Sequence, residues 1–280
     1  MTSLSNSNEQ WGNSYRLIAS EKWKAKSAAM GRDVTDALVE YTQPRPGMKV
    51  LDLASGTGEP AISLAGCIGP EGQVTALDLS SELLEIASER AQQRGLTNFS
   101  TRQADAQQLP FPDQSFDLVT SRFGVMFFQD CGQAMREVHR VLKPGSRACF
   151  LAWGSFDQPY WSSTIGIVVK HVGGPALVAG GPDPFRFAAS GSLSSVLEKA
   201  GFSNVVEETR TLPWTWPGTA EEVWEQARAV ATPFLPLLQR VQPGTQDEIN
   251  REVIAAIQQY ADRDSIKFGA MVVLASGIKT

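Results

Sequence analysis

Histidine and cysteine are scarce in this chain of 280 residues, which has two of the first and three of the second. His139 and His171 stand far apart, and no Cys-x-x-Cys pair occurs among Cys67, Cys131 and Cys149. Disulfide frameworks and thiolate metal sites are thereby excluded, and the thiols read as reduced packing residues of a cytoplasmic protein. Positive charge is also in short supply, with 25 Lys and Arg against 30 Asp and Glu and a formal net charge of −5. Nothing in that balance attracts nucleic acid or an anionic membrane, and no basic stripe interleaved with aromatics appears. Long apolar runs are missing, so no membrane insertion is expected. The Ser/Asn-rich start, Met1 to Asn8, is expected to be neither signal peptide nor anchor. What remains is a composition with 42% hydrophobic and 20% charged residues, that of an ordinary globular protein.

The informative stretch is 50–60, Val-Leu-Asp-Leu-Ala-Ser-Gly-Thr-Gly-Glu-Pro. An apolar strand, 48–53, runs into a small-residue turn, and a helical pattern follows. Gly56 and Gly58 lack a Cβ, so a ligand can approach the backbone and unusual φ/ψ values cost little. Asp52, at the end of the strand, can meet an ammonium group. Strand, glycine turn and helix together form a nucleotide-type cradle. Two ligands compete for it. Gly56-Thr-Gly58-Glu-Pro-Ala61 satisfies the dinucleotide pattern G-x-G-x-x-A, and Asp78 lies about 20 residues on, as NAD binding requires. The other candidate carries an adenosine and a cationic amino acid.

The remainder of the first half favours the second. Asp52-x-Ala54-x-Gly56-x-Gly58 resembles the first motif of class I S-adenosylmethionine-dependent methyltransferases, with Ala54 where that family often has Gly. Val74 to Ser80 resembles the second motif, Gln103-Ala-Asp105-Ala106 the third, and Phe116 to Arg122 the fourth. Arg140-Val-Leu-Lys-Pro-Gly145 resembles the turn before strand five in the subgroup related to ubiquinone and menaquinone biosynthesis methyltransferases. The matches occur in the family's order, and that order is more specific than any single motif. The alternatives from other classes are an NAD-dependent oxidoreductase and a non-catalytic cofactor-binding protein.

Helix and strand patterns alternate, which predicts an α/β doubly wound sheet. Strands are expected near 48–53, 73–77, 98–102, 116–121, 147–153, 204–209 and 267–276. Helices are expected near 59–67, from Ser80 to Gly95, and at 131–142, 161–172, 192–200, 219–230 and 246–261. The resemblance implies a Rossmann-like, seven-stranded sheet with an antiparallel last strand and a helical cap inserted between strands six and seven. The chain then reads as a single methyltransferase domain with a cofactor-binding core at about 45–153. Its substrate cap would come from about 1–30, 154–190 and 213–263. None of the seven tryptophans falls between 48 and 152. Collectively they favour an apolar acceptor, although any one of them can simply pack cap helices.

The resemblance also distributes roles. Asp78 would accept from the ribose hydroxyls, Leu79 would cover an adenine face, and Asp105 would accept from the adenine amino group beside the Ala106 N–H. Gly56, Gly58 and Ala54 would approach the methionine portion, with Asp52 holding its ammonium or its surroundings. Ser121, Arg122 and Phe123 follow strand four, on the family's route between donor and acceptor. Ser121 is assigned to the cofactor; Arg122, Phe123, Trp153 and Tyr160 are assigned to the substrate. Arg122 could instead pair with a surface acid. Methyl transfer from a sulfonium depends mainly on alignment and desolvation. If a base is needed, His171 is the candidate, with Tyr15 and Tyr160 behind it and His139 as packing. Trp11, Tyr15, Trp23 and Lys24 form a helical segment that would fold over the cofactor or pack on the sheet edge. The expectation is metal-free S-adenosylmethionine-dependent transfer to oxygen or carbon of a small, largely apolar acceptor, with the oligomeric state open.

Overall fold

The computed structural model describes residues 21–280 apart from Ala231. Trp11 and Tyr15 lie outside the described residues, as do the side chains of Trp23 and Lys24.

Eight strands form one sheet: β1 (Lys49–Leu53), β2 (Gln73–Asp78), β3 (Phe99–Gln103), β4 (Phe116–Arg122), β5 (Leu142–Trp153), β6 (Ser203–Trp216), β7 (Ala261–Asp262) and β8 (Ser265–Ile278). Their order is β3-β2-β1-β4-β5-β8-β6, with β7 paired to β8. The first five strands are parallel, and β8 runs antiparallel to β5. Val50 lies between Val74 and Leu118 in register. Parallel strands are covered on both faces and therefore read as continuous apolar runs. Val50, Leu51 and Leu53 are completely buried, as are Val119 and Phe150. The order reverses between β1 and β4, and open α/β sheets bind ligands at the carboxyl ends of the strands flanking such a switch point.

Helices make the crossovers: α1 (Ala61–Ile68) after β1, α2 (Ser81–Gln93) after β2 and α3 (Cys131–Val141) after β4. Ser80 caps α2 by accepting the Leu83 N–H, and Asp130 caps α3 through Gln133. Gly95, at φ 68°, ends the α2 segment in the left-handed conformation that glycine tolerates.

Several elements depart from the sequence expectation, and β5 for one starts at Leu142 and not near 147. Strand β6 continues to Trp216, beyond the expected 209, with alternating exposure through Pro213. It ends the strand order, and an edge strand tolerates a residue without an N–H. The helix expected over 161–172 is two helices, Pro159–Ser163 and Ile165–Val172, broken at Thr164 (φ −113°, ψ −93°). The helix expected to reach 261 stops at Gln258, and β7 then pairs Asp262 with Ser265 of β8 around Arg263 at φ 54°. That short hairpin adds an eighth strand to the expected seven.

The chain divides into two compact units. One comprises Thr35–Gly154, Phe185–Arg210 and Val272–Thr280; the other comprises the described residues through Val34, Ser155–Pro184 and Thr211–Met271. In the second unit Trp216, Trp224, Phe234, Ile249, Val253 and Ile257 are buried, and Trp224 Nε1 donates to Asn250 at 2.8 Å. These tryptophans are core. Among the described residues no helix is long and apolar enough to cross a membrane.

Candidate active site

The first unit brings the glycine turn and the β2 aspartate together. Beyond β1 the backbone passes through Ala54 (φ 50°), Gly56 (φ 54°) and Gly58 (φ 109°). Asp78 Oδ2 accepts the Gly56 N–H at 2.9 Å, and Asp78 Oδ1 accepts the Ser80 N–H at 3.0 Å. The carboxylate thus holds the turn and keeps lone pairs for a ligand. Burial pushes its pKa up against the hydrogen bonds that favour its charge. A Cβ on Gly58 would fall 2.5 Å from Ile62 Cδ1, whereas one on Gly56 would meet nothing within 4 Å. Glycine is needed at 58 for packing and at 56 for conformation, and the space beside 56 is open. Leu79 is 44% exposed beside it, an apolar side chain at a strand end with a face to offer.

Sequence reasoning missed the braces of this turn. Arg90 Nη1 donates to the Thr57 carbonyl at 3.0 Å and to its hydroxyl, and Arg94 pairs with Glu59 at 3.1 Å. Arg90 lies in the last turn of α2 and Arg94 is its C-cap four residues on, so a helical reading of that spacing was the available signal.

Asp52 is fully buried. Its two oxygens accept from Ser55 Oγ at 2.6 Å and Thr120 Oγ1 at 2.7 Å. Desolvation raises its pKa to about 7, against the pull of those hydroxyls and of Arg122. Both oxygens are thus taken up by hydroxyls of the turn and of β4.

Asp105 lies two residues past β3 and accepts from Gln107 through both the backbone N–H (2.8 Å) and the side-chain amide. Ala106 is buried. The segment beyond is tied down by α3. Glu137 accepts the Leu109 N–H at 2.8 Å, while Arg140 donates to the Leu109 and Phe111 carbonyls and to Asp113 and Glu137. Those carboxylates raise the Arg140 pKa further, and the Arg140 guanidinium in turn lowers that of Glu137. Arg140 was legible as a family motif, but not as a brace.

At the end of β4, the buried Ser121 hydroxyl donates to the Leu53 carbonyl at 2.8 Å, so its contact joins two strand ends. Arg122 donates to Thr35 Oγ1. Phe123, at φ 60°, stacks on Trp153 with centroids 4.4 Å apart and an interplanar angle of 16°. Met126 Sδ accepts the Trp153 N–H at 3.2 Å. A Cβ on Gly124 would lie 2.4 Å from Ala54 Cβ and 2.6 Å from Ser121 Oγ. Gly124 therefore admits an alanine at 54, a requirement that no local pattern announced.

Tyr160 and His171 belong to the second unit. Tyr160 is buried among Trp161, Trp214 and Phe268, donates to Gln226 at 3.3 Å and has its phenol pKa raised by burial. A neutral phenol is a poor base. His171 Nε2 lies 2.6 Å from Glu252 Oε2. His139, in the first unit, packs edge-on against Phe202. Among the described residues no cluster of three or more His, Cys, Asp or Glu could hold a metal.

The doubly wound fold and the family match together make this chain an S-adenosylmethionine-dependent methyltransferase. The chain belongs to the ubiE/COQ5 methyltransferase family, whose profile matches residues 27–176. It is 33% identical over 197 residues to the ubiquinone/menaquinone biosynthesis C-methyltransferase UbiE of Brucella abortus (strain S19), covering 64% of this chain and 71% of that one. Among solved structures it is similar to phosphoethanolamine N-methyltransferase 2 of Haemonchus contortus in complex with S-adenosyl-L-methionine. That likeness has a TM-score of 0.56 and 17% identity, over 95% of this chain and 60% of that one. It is also similar to the [4+2]-cyclase SpnF, with a TM-score of 0.52 and 23% identity, over 88% and 81%. The last likeness shows how little the fold alone says about the reaction. Family membership does not favour the dinucleotide reading of the glycine turn.

Proposed function

We propose that this enzyme transfers a methyl group to carbon, or failing that to oxygen, on a small aromatic and largely apolar acceptor of the quinol class. The observation that carries this reading is the Phe123–Trp153 stack, two flat apolar rings just past the end of β4 and at the end of β5. The relative's C-methyltransferase name supports the choice of carbon. S-adenosylmethionine supplies a methyl on a sulfonium, whose displacement needs alignment and exclusion of water more than acid–base help.

In this reading Asp78 receives the ribose hydroxyls, Leu79 lies on the adenine, and Asp105 with the Ala106 N–H receives its edge. Gly56 and Gly58, with Ala54 between β1 and the turn, admit the methionine portion, and Asp52 and Ser121 hold the turn's walls. Arg122 would orient an acceptor oxygen. A ring carbon ortho to a hydroxyl becomes nucleophilic once that hydroxyl loses its proton.

The test supplies methyl-labelled S-adenosylmethionine with a polyprenylated benzoquinol, a naphthoquinol and simple phenols, and locates the label by NMR. Label on a ring carbon is the expected outcome. Label only on oxygen would retain the acceptor class and overturn the carbon assignment. Transfer to none of these would overturn the acceptor class.

A further inference from the structure

Gln107 occupies a position that neither the family motifs nor the roles assigned above explain. Its backbone N–H reaches Asp105 Oδ1 at 2.8 Å, and its side-chain Nε2 spans Oδ1 at 3.1 Å and Oδ2 at 3.0 Å. The other end of the same amide is held too, Oε1 accepting the Asp130 N–H at 2.6 Å, and the Gln107 backbone carbonyl separately accepts from Gln133 Nε2 at 3.4 Å. With its oxygen committed to an N–H donor, the amide can present only its NH2 to the carboxylate, so its orientation is set by the network.

The consequence for Asp105 follows by counting. A carboxylate has about four acceptor directions. Gln107 takes two on Oδ1 and one on Oδ2, leaving one direction on Oδ2 for an outside donor. Asp130, at the far end, is the cap of α3 and closes the segment that begins with Phe123 and Gly124. One half-buried side chain thus spans the end of β3 and the end of the post-β4 segment.

We propose that Gln107 is a positioning residue for adenine recognition, orienting Asp105 so that a single oxygen faces the six-amino group and fixing that orientation to the N-terminus of α3. The inference rests on the assignment of Asp105 to the adenine amino group, and the experiment separates the two. Affinities would be measured by calorimetry for S-adenosylhomocysteine and for its 6-deamino analogue, which carries purine in place of adenine.

The wild-type protein should prefer adenine by roughly ten- to a hundredfold, as a hydrogen bond to a charged group implies. Asp105→Ala should abolish that preference. Gln107→Ala should reduce it about five- to tenfold with little change in Tm. Gln107→Glu, closer in size to glutamine, should reduce it further, because a second carboxylate faces the first and offers it no donor. A packing role would give the opposite order, with Glu milder than Ala, and would overturn the proposal. Wild-type preference in both Gln107 variants, with Asp105→Ala defective, would also overturn it and leave the Asp105 assignment standing. Wild-type preference in Asp105→Ala would remove both.

Discussion

Asp52 illustrates how a buried carboxylate makes stability depend on pH. Its folded-state pKa is raised from 3.8 to about 7 by desolvation, the hydroxyls of Ser55 and Thr120 recovering only part of the cost. Below the unfolded value both states hold the proton. Between about 4 and 7 the unfolded chain releases it while the native one keeps it, so stability falls as pH rises through that window and levels off above it. Asp52→Asn removes the titration, so its stability deficit relative to wild type should be smaller at pH 8 than at pH 5. Urea midpoints at the two pH values check this, and an unchanged deficit would refute it. Asp78 carries two loads, the Gly56 N–H and the proposed ribose hydroxyls, and Asp78→Ala should weaken S-adenosylmethionine binding by about tenfold or more. Ala54 and Gly124 form a coupled pair. Gly124→Ala should cost ~1–3 kcal/mol through overpacking, and Ala54→Gly should recover part of it by removing the Cβ at 2.4 Å and a left-handed alanine. A double-mutant cycle in urea reads the coupling, and strict additivity would argue against the contact.

At the scale of elements, the loops of the first unit are held by arginines projecting from helices. Arg140 of α3 holds the segment 109–113 at two carbonyls and one carboxylate. Arg140→Ala should cost on the order of 2 kcal/mol, since hydrogen bonds to charged groups are worth ~1.5–3 kcal/mol each and this guanidinium is partly solvated. Hydrogen exchange should rise over 104–115 and stay unchanged in β1 and β2; uniform protection would assign the brace no local role. In the second unit, the helix Ala220–Ala229 starts with a complete capping box between Thr219 and Glu222. Glu222 also takes hydrogen bonds from Lys26 and Trp216, so one carboxylate joins three stretches of chain.

For the whole molecule, the decisive observations are catalytic. The base expected from the sequence is tested by His171→Ala, which should lower turnover with the proposed quinol acceptor while leaving S-adenosylmethionine affinity intact, and Glu252→Gln should do the same more mildly. Wild-type turnover in both across the pH range would withdraw the base assignment and leave alignment and desolvation as the whole of catalysis. The fold tolerates such divergence: the same sheet supports a methyltransferase and a cyclase among its structural relatives, so the reaction must be settled by side chains and not by topology.

The sequence by itself determined the alternating α/β order, the glycine turn and the carboxylates at the strand ends. Each follows from local chemistry: apolar runs long enough for buried strands, glycine where φ turns positive, and caps that stop helices. It also determined the family, because five motifs in order are a one-dimensional pattern. Tertiary structure alone decided that Pro213 could sit in a strand, because that strand is an edge. It alone decided that both Asp52 oxygens meet hydroxyls and that Gly124 makes room for Ala54. It also decided that Gln107 and Arg140 act on residues more than twenty positions away. Those contacts depend on which strand ends and helix termini the β1–β4 reversal brings together, and no window of neighbouring residues contains that information.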